Sequence, residues 1–247
     1  MTGNEDLDVD GMLEILEGLH PDEDRGSTEG LRERKKRRLR QKISDVATAM
    51  FLADGFDSVT VAQIAARCEV SEQTVFNYFP TKESTFLDRS ESMAKAVADV
   101  VRERGSASLV EAVVGEVAGG VHPGDREAFD EARRLEFSRR FSEVAAGSPK
   151  LVAARSAEFA RFTDEVSVAL GHRIGADPTD PAVQLAALII GGLIGVRLQS
   201  TFHNIQLVTS FAALNEVVYR DILRAAEIAE PSLTAFDSMP ARAEVPD

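Results

Sequence analysis

One cysteine, Cys68, stands in a chain of 247 residues. No internal disulfide can form, which fits a reducing compartment. Tryptophan is absent and tyrosine occurs only twice, so aromatic bulk rests on 13 phenylalanines. No stretch alternates apolar and polar residues between hairpin turns, which argues against a sheet. The longest strongly apolar run, Leu185 to Val196, is 12 residues, against the roughly 20 that a membrane-spanning helix needs. Glycine-rich phosphate loops, Gly-x-Ser-x-Gly and Cys/His sets at metal spacing are all missing. His20, His122, His172 and His203 are scattered and read as surface residues. No enzyme, cofactor or metal is expected. The acidic N-terminus argues against a signal or transit peptide, so the expectation is a soluble cytoplasmic protein.

What is present favours helices throughout. Hydrophobic residues make up 44% of the chain, chiefly Ala, Val and Leu, enough to bury the core of one large or two modest domains. The net charge of −13 is unevenly spread: residues 1–30 carry ten acids and one base, residues 31–42 eight bases and one acid. The first stretch reads as a disordered, solubilising tail; the sharper alternative is that it folds back on the basic block. From about Arg32 to Asp54 one long helix is expected, with Ile43, Val46, Ala47, Met50 and Phe51 as its apolar stripe and Gly55 ending it. Positive charge at a helix start opposes the macrodipole. Phosphates are therefore the natural partner of the block, Arg37 and Arg38 included.

The stretch Val59 to Lys82 carries the clearest motif. Thr60 and Gln63 form a capping box, and Val61, Ile64, Ala65 and Cys68 share one helical face. Ser71 caps a second short helix whose inward residues are Val75 and Phe79, and Pro80 ends it. Cys68 on the buried stripe reads as packing rather than redox chemistry.

Ala53-Asp54-Gly55-Phe56, Thr60, Ile64-Ala65, Val70-Ser71, Thr74 and Tyr78 through Glu83 together resemble the DNA-binding domain of the tetracycline-repressor (TetR/AcrR-type) family. The resemblance covers roughly Arg32 to Asp88. It implies a three-helix helix-turn-helix domain over 31–88 (motif about 60–79) whose second short helix enters the major groove of operator DNA. On that reading Thr60 and Lys82 fix phosphates, Ser71 opens the recognition helix, Gln73, Thr74 and Asn77 read base edges, and Tyr78 holds the backbone. Glu69 stands where the family usually has Gly, Phe76 replaces a frequent Tyr, and Glu72 brings an acid to the DNA side. The alternative, from another functional class, is a ligand-binding or protein-interaction module with weakened DNA binding.

Beyond Asp88 six helices complete an all-α chain. The spacing predicts helices near 89–104, 108–118, 126–146, 150–171, 182–202 and 207–228, with a loop at His122 to Asp125 and a flexible tail over 231–247. The resemblance makes 89–230 a domain for a small-molecule effector and for dimerisation. Phe137, Phe141, Phe159 and Phe162 are the candidate pocket residues. Ala187, Gly191 and Gly195 recur every four residues on a helix apolar nearly all round, a ridge that admits another helix closely. The family reading assigns that ridge to a homodimer interface.

Overall fold

The computed structural model describes residues 8–18, 30–103, 108–119 and 131–239, with the backbone alone at 89–93. These form ten helices and no strand: α1 (Val9–Gly18), α2 (Leu31–Asp54), α3 (Val61–Cys68), α4 (Glu72–Tyr78), α5 (Lys82–Glu103), α6 (Leu109–Ala118), α7 (Glu131–Gly147), α8 (Pro149–Ile174), α9 (Pro181–Asn204) and α10 (Phe211–Asp237). The loop expected at His122 to Asp125 and the expected helix start at Arg126 lie outside the described residues.

Two compact units emerge. The described residues up to Asp88 join those of Phe129–Ala154 in one; those of Arg89–Ala128 join those from Arg155 onward in the other. One division falls after Asp88, whereas the sequence pattern groups α7 with the C-terminal helices. It belongs to the first unit because its aromatic face is buried there. Phe141 stacks on Phe86 at 4.4 Å between ring centroids, and Phe86 in turn meets Phe51 edge-on at 6.0 Å. Such pairs add about 0.5–1.5 kcal/mol each to the area they bury.

The middle of α2 is the hub of the first unit. Ile43 through Ala49 are all buried, more than the expected one-sided stripe, because α1, α3 and α7 all pack on this helix. Polar side chains there find partners: Ser44 Oγ donates to the Thr85 carbonyl at 3.1 Å and Gln41 Nε2 to Asp45 Oδ1 at 2.9 Å.

The N-terminal tail needs correction over Val9–Gly18. Asp8 accepts from the Gly11 N–H at 2.8 Å, starting α1, and Met12 and Leu16, one turn apart, are completely buried. Two such side chains contribute about 1.5–3 kcal/mol each, which outweighs the polar composition around them. Asp10 pairs with Arg67 of α3, and Glu14 lies 3.6 Å from Arg133 of α7. Residues 1–7 and 19–29 of that expectation fall outside the described residues.

In the second unit α9 and α10 pack together and α6 lies on both. Asp180 caps α9 through the Ala182 N–H at 2.8 Å, with Pro181 in the first turn. Ser200 Oγ donates to Asp221 at 2.6 Å across the α9–α10 pair. Arg197 reaches from α9 to the end of α6 and donates to the carbonyls of Val117 (2.5 Å) and Gly119 (3.0 Å). α9 is long and apolar enough to cross a membrane by length and composition alone; α10 and α6 pack on part of its surface.

The tail expected from Pro231 onward is helical as far as Asp237. A proline inside a helix costs about 3 kcal/mol. Leu233 and Phe236 are both buried beyond it, and two large apolar side chains contribute about 3–6 kcal/mol, so the helix continues. Asp237 then accepts from the Leu109 N–H at 3.4 Å and lies 3.7 Å from Arg173.

Candidate nucleic-acid interface and ligand cavity

The helix-turn-helix is built from local chemistry. Thr60 Oγ1 accepts from the Gln63 N–H at 3.3 Å while Gln63 Oε1 accepts from the Thr60 N–H at 2.8 Å, closing the capping box. At the other end of α3 the Val70 N–H reaches the Ala65 carbonyl (3.0 Å) and the Glu69 N–H that of Ala66 (3.2 Å). This pair of bonds needs a left-handed residue, and Glu69 supplies it with φ 60°. Ser71 Oγ accepts from the Thr74 N–H at 3.1 Å and starts α4.

Val75 and Phe79 are each 1% exposed, which fixes how α4 is turned. Glu72, Gln73, Phe76 and Asn77 are left exposed on the outside. Gln73 Nε2 donates to Asn77 Oδ1 at 3.1 Å, so the two amides are held one turn apart with an acceptor of Gln73 and donors of Asn77 still available. Thr74, expected beside them, is half-buried and its hydroxyl lies 2.8 Å from that of Ser71. Tyr78 is half-buried as well.

Three cations of this domain, Lys82, Arg40 and Lys42, have structural partners. Lys82, expected to bind phosphate, donates instead from Nζ to the carbonyls of Phe56 (2.8 Å) and Val59 (2.9 Å) and sits 4.2 Å over the Phe56 ring. Two of its three protons tie the α2–α3 loop to α5, and burial pushes its pKa down. Arg40 lies 4.4 Å over the Phe79 ring, donates to the Tyr78 carbonyl at 2.7 Å and makes two bonds to Asp88 at 2.6 and 3.0 Å. It therefore holds the carbonyl end of α4, where a cation is favoured. Lys42 Nζ reaches the Cys68 carbonyl at 3.2 Å. For Arg40 a signal does exist: it precedes Ile43 by three residues and so shares the inward stripe. Of the block, Arg37 is half-buried and Arg38 exposed.

The second unit holds a cavity of about 480 Å³. Ala94 and Ala98 of α5, Phe159 and Phe162 of α8, and Ile194 and Leu198 of α9 form its apolar wall, with charged residues of α5 and α8 around them. Two of the four expected pocket phenylalanines line it. Phe137 and Phe141 do not; they serve the core of the first unit.

The small-residue ridge of α9 also needs correction. Ala187 and Gly191 are buried within the chain. A Cβ at Gly191 would lie 2.8 Å from Cε2 and Cζ of Phe159, so this glycine admits a cavity-lining ring rather than a second copy. Gly195 is half-buried with open space above it. The apolar side chains that face outward are Leu185 (57% exposed) and Leu188 (50%) on α9, with Leu223 and Ile228 on α10.

Residues 43–88 match the family of bacterial regulatory proteins called tetR. An HTH-type transcriptional regulator, TcmR of Streptomyces glaucescens, is 32% identical over 215 residues, or 85% of this chain and 84% of that one. Among solved structures, FadR of Thermus thermophilus, a repressor in complex with lauroyl-CoA, covers 84% of this chain and 99% of its own at 20% identity and a TM-score of 0.45. A tetR-family regulator from Streptomyces coelicolor covers 85% and 91% at 14% identity and a TM-score of 0.39.

Proposed function

The chain belongs to the tetR family of bacterial regulatory proteins, and from that premise we propose that it is a cytoplasmic, ligand-responsive, homodimeric repressor of a near-palindromic operator. The observation that carries the reading is the exposed Gln73–Asn77 pair on α4. Paired amides suit the N6 and N7 edge of adenine in the major groove. Glu72, beside them, suits the amino group of cytosine. Arg37 and Arg38 contact phosphates, joined by Thr60 and the Ser71–Thr74 end of α4, while Tyr78 holds the backbone nearby. Arg40 and Lys82 position α4 and its loop rather than touching DNA.

One α4 reads too few base pairs for a specific site, so two copies act together, about one helical turn apart. Leu185 and Leu188 on α9, with Leu223 on α10, are the apolar surface offered to the second copy. A small molecule in the cavity of the second unit favours conformations whose paired α4 helices no longer match the operator, and binding weakens by its differential affinity for the two states.

Salt-titrated binding to operator and to unrelated duplex DNA tests the assignment. Arg37→Gln with Arg38→Gln should flatten the salt dependence by about one unit of slope for each phosphate no longer neutralised, on both DNAs alike. Asn77→Ala should leave that slope in place and lower only the preference for operator. Equal effects of the two variants on both quantities would contradict it.

A further inference from the structure

We propose that the cavity of the second unit binds an amphipathic organic anion, its apolar body against Phe159, Phe162 and Leu198 and its carboxylate-type group paired with Arg155. This rests on the reading of the chain as a ligand-responsive regulator and names the chemistry of the ligand.

The charges around the cavity carry the argument. Asp99 holds two of the lining cations: Lys95, and Arg102 at 2.5 Å. Those bonds keep the Asp99 carboxyl below its ordinary range. Arg161 lies 3.8 Å from Glu158. Arg155 differs from all three. No carboxylate among the described residues forms an ion pair with it; its guanidinium lies 5.3 Å over the ring of Phe202. Burial pushes its pKa down, with no opposing carboxylate. Glu165, the remaining acid of the lining, is ten residues further along α8, roughly 15 Å at the rise of a helix, beyond pairing distance.

A half-buried guanidinium without a counter-ion is costly to cover further. A neutral ligand lying over Arg155 would add to that cost, whereas a carboxylate, sulfonate or phenolate would offset it with charge-assisted bonds. The Phe202 ring keeps the planar group oriented, so the anion meets a fixed fork of donors. The apolar wall supplies the rest of the affinity, and the cavity volume suits a fused-ring or medium-length chain skeleton.

Two fluorescent probes of nearly the same shape test this on the full chain: 1-anilinonaphthalene-8-sulfonate, an anion, and the neutral N-phenyl-1-naphthylamine. The wild type should bind the sulfonate about tenfold to a hundredfold more tightly. Arg155→Met, which keeps most of the apolar stem, should bring the sulfonate down to the level of the neutral probe and leave the latter unchanged. Arg155→Lys should restore part of the difference. Leu198→Trp, which fills the cavity, should abolish saturable binding of both and so place the probes there. Equal affinities in the wild type, or an equal loss of both probes in Arg155→Met, would overturn the anion assignment while leaving a ligand cavity standing. Saturable binding of neither probe, or binding that Leu198→Trp does not touch, would remove the ligand-cavity reading and this proposal with it.

Discussion

Glu69→Gly should stabilise the protein, although it removes a side chain. Glu69 is the sole residue other than glycine with positive φ among the described residues, at φ 60° and ψ 40°. The two bonds that close α3 hold it there, so the conformation cannot relax without losing them. A left-handed backbone costs a residue with Cβ roughly 1–2 kcal/mol. Glycine removes that cost but has more freedom to lose on folding, which takes back about 0.4–1 kcal/mol. At the middle of these ranges the net gain is about 0.8 kcal/mol, and at this chain length each kcal/mol moves Tm by about 2–4 °C. Glu69→Ala is the necessary companion, because it removes the same charge yet keeps the backbone strain. Denaturant and thermal unfolding at matched protein concentration should place Glu69→Gly above Glu69→Ala by that margin, with Glu69→Ala close to wild type. Equal stability of the two variants would refute the argument from backbone strain.

Met12→Ala should cost about 2–5 kcal/mol, since Met12 is completely buried against the first unit; urea titration showing less than about 0.5 kcal/mol would mean that α1 is dispensable to the fold. Gly191→Ala should scarcely change stability, because the atoms in its way are the far end of a half-exposed Phe159 and alanine favours a helix by about 1 kcal/mol. The displaced ring should nevertheless alter naphthylamine binding several-fold in a fluorescence titration. Arg197→Met should cost about 1–3 kcal/mol by leaving the carbonyls of Val117 and Gly119 without their donor, measurable in the same unfolding assays. Phe76 is 43% exposed beside Gln73 and Asn77 and suits the methyl group of thymine. Replacing thymine by uracil at one position of each half-site should weaken wild-type binding and leave Phe76→Ala unaffected.

Most of α2, α3 and α4 is legible in the sequence because their boundaries are set by neighbouring residues: the Thr60–Gln63 box, the Ser71 cap, and Gly55. The same locality marks Glu69 as a strained position, since it stands in the turn where a glycine is usual. Choices decided at long range leave no such local mark. Lys82 reads as a further base of a phosphate-binding surface until the carbonyls of Phe56 and Val59 are seen as its acceptors. Phe137 and Phe141 share a composition with Phe159 and Phe162, and only the stack of Phe141 on Phe86 separates them. α1 and the end of α10 are hidden by acidic or proline-containing surroundings, although Met12 and Leu16 carry helical spacing. A ridge of small residues says that something approaches closely, not what; at Gly191 it is Phe159 of the same chain.

Selection of bound duplexes from a random-sequence library reads the operator preference itself. The wild type should enrich a near-palindrome with half-site centres roughly ten base pairs apart, and the gene's own upstream DNA should contain it. Gln73→Ala and Asn77→Ala should blur the same position in both half-sites. Recovery of no sequence above background, with equal affinity for operator-region and scrambled DNA, would rule out sequence-specific DNA reading and leave a ligand-binding or protein-interaction module in its place.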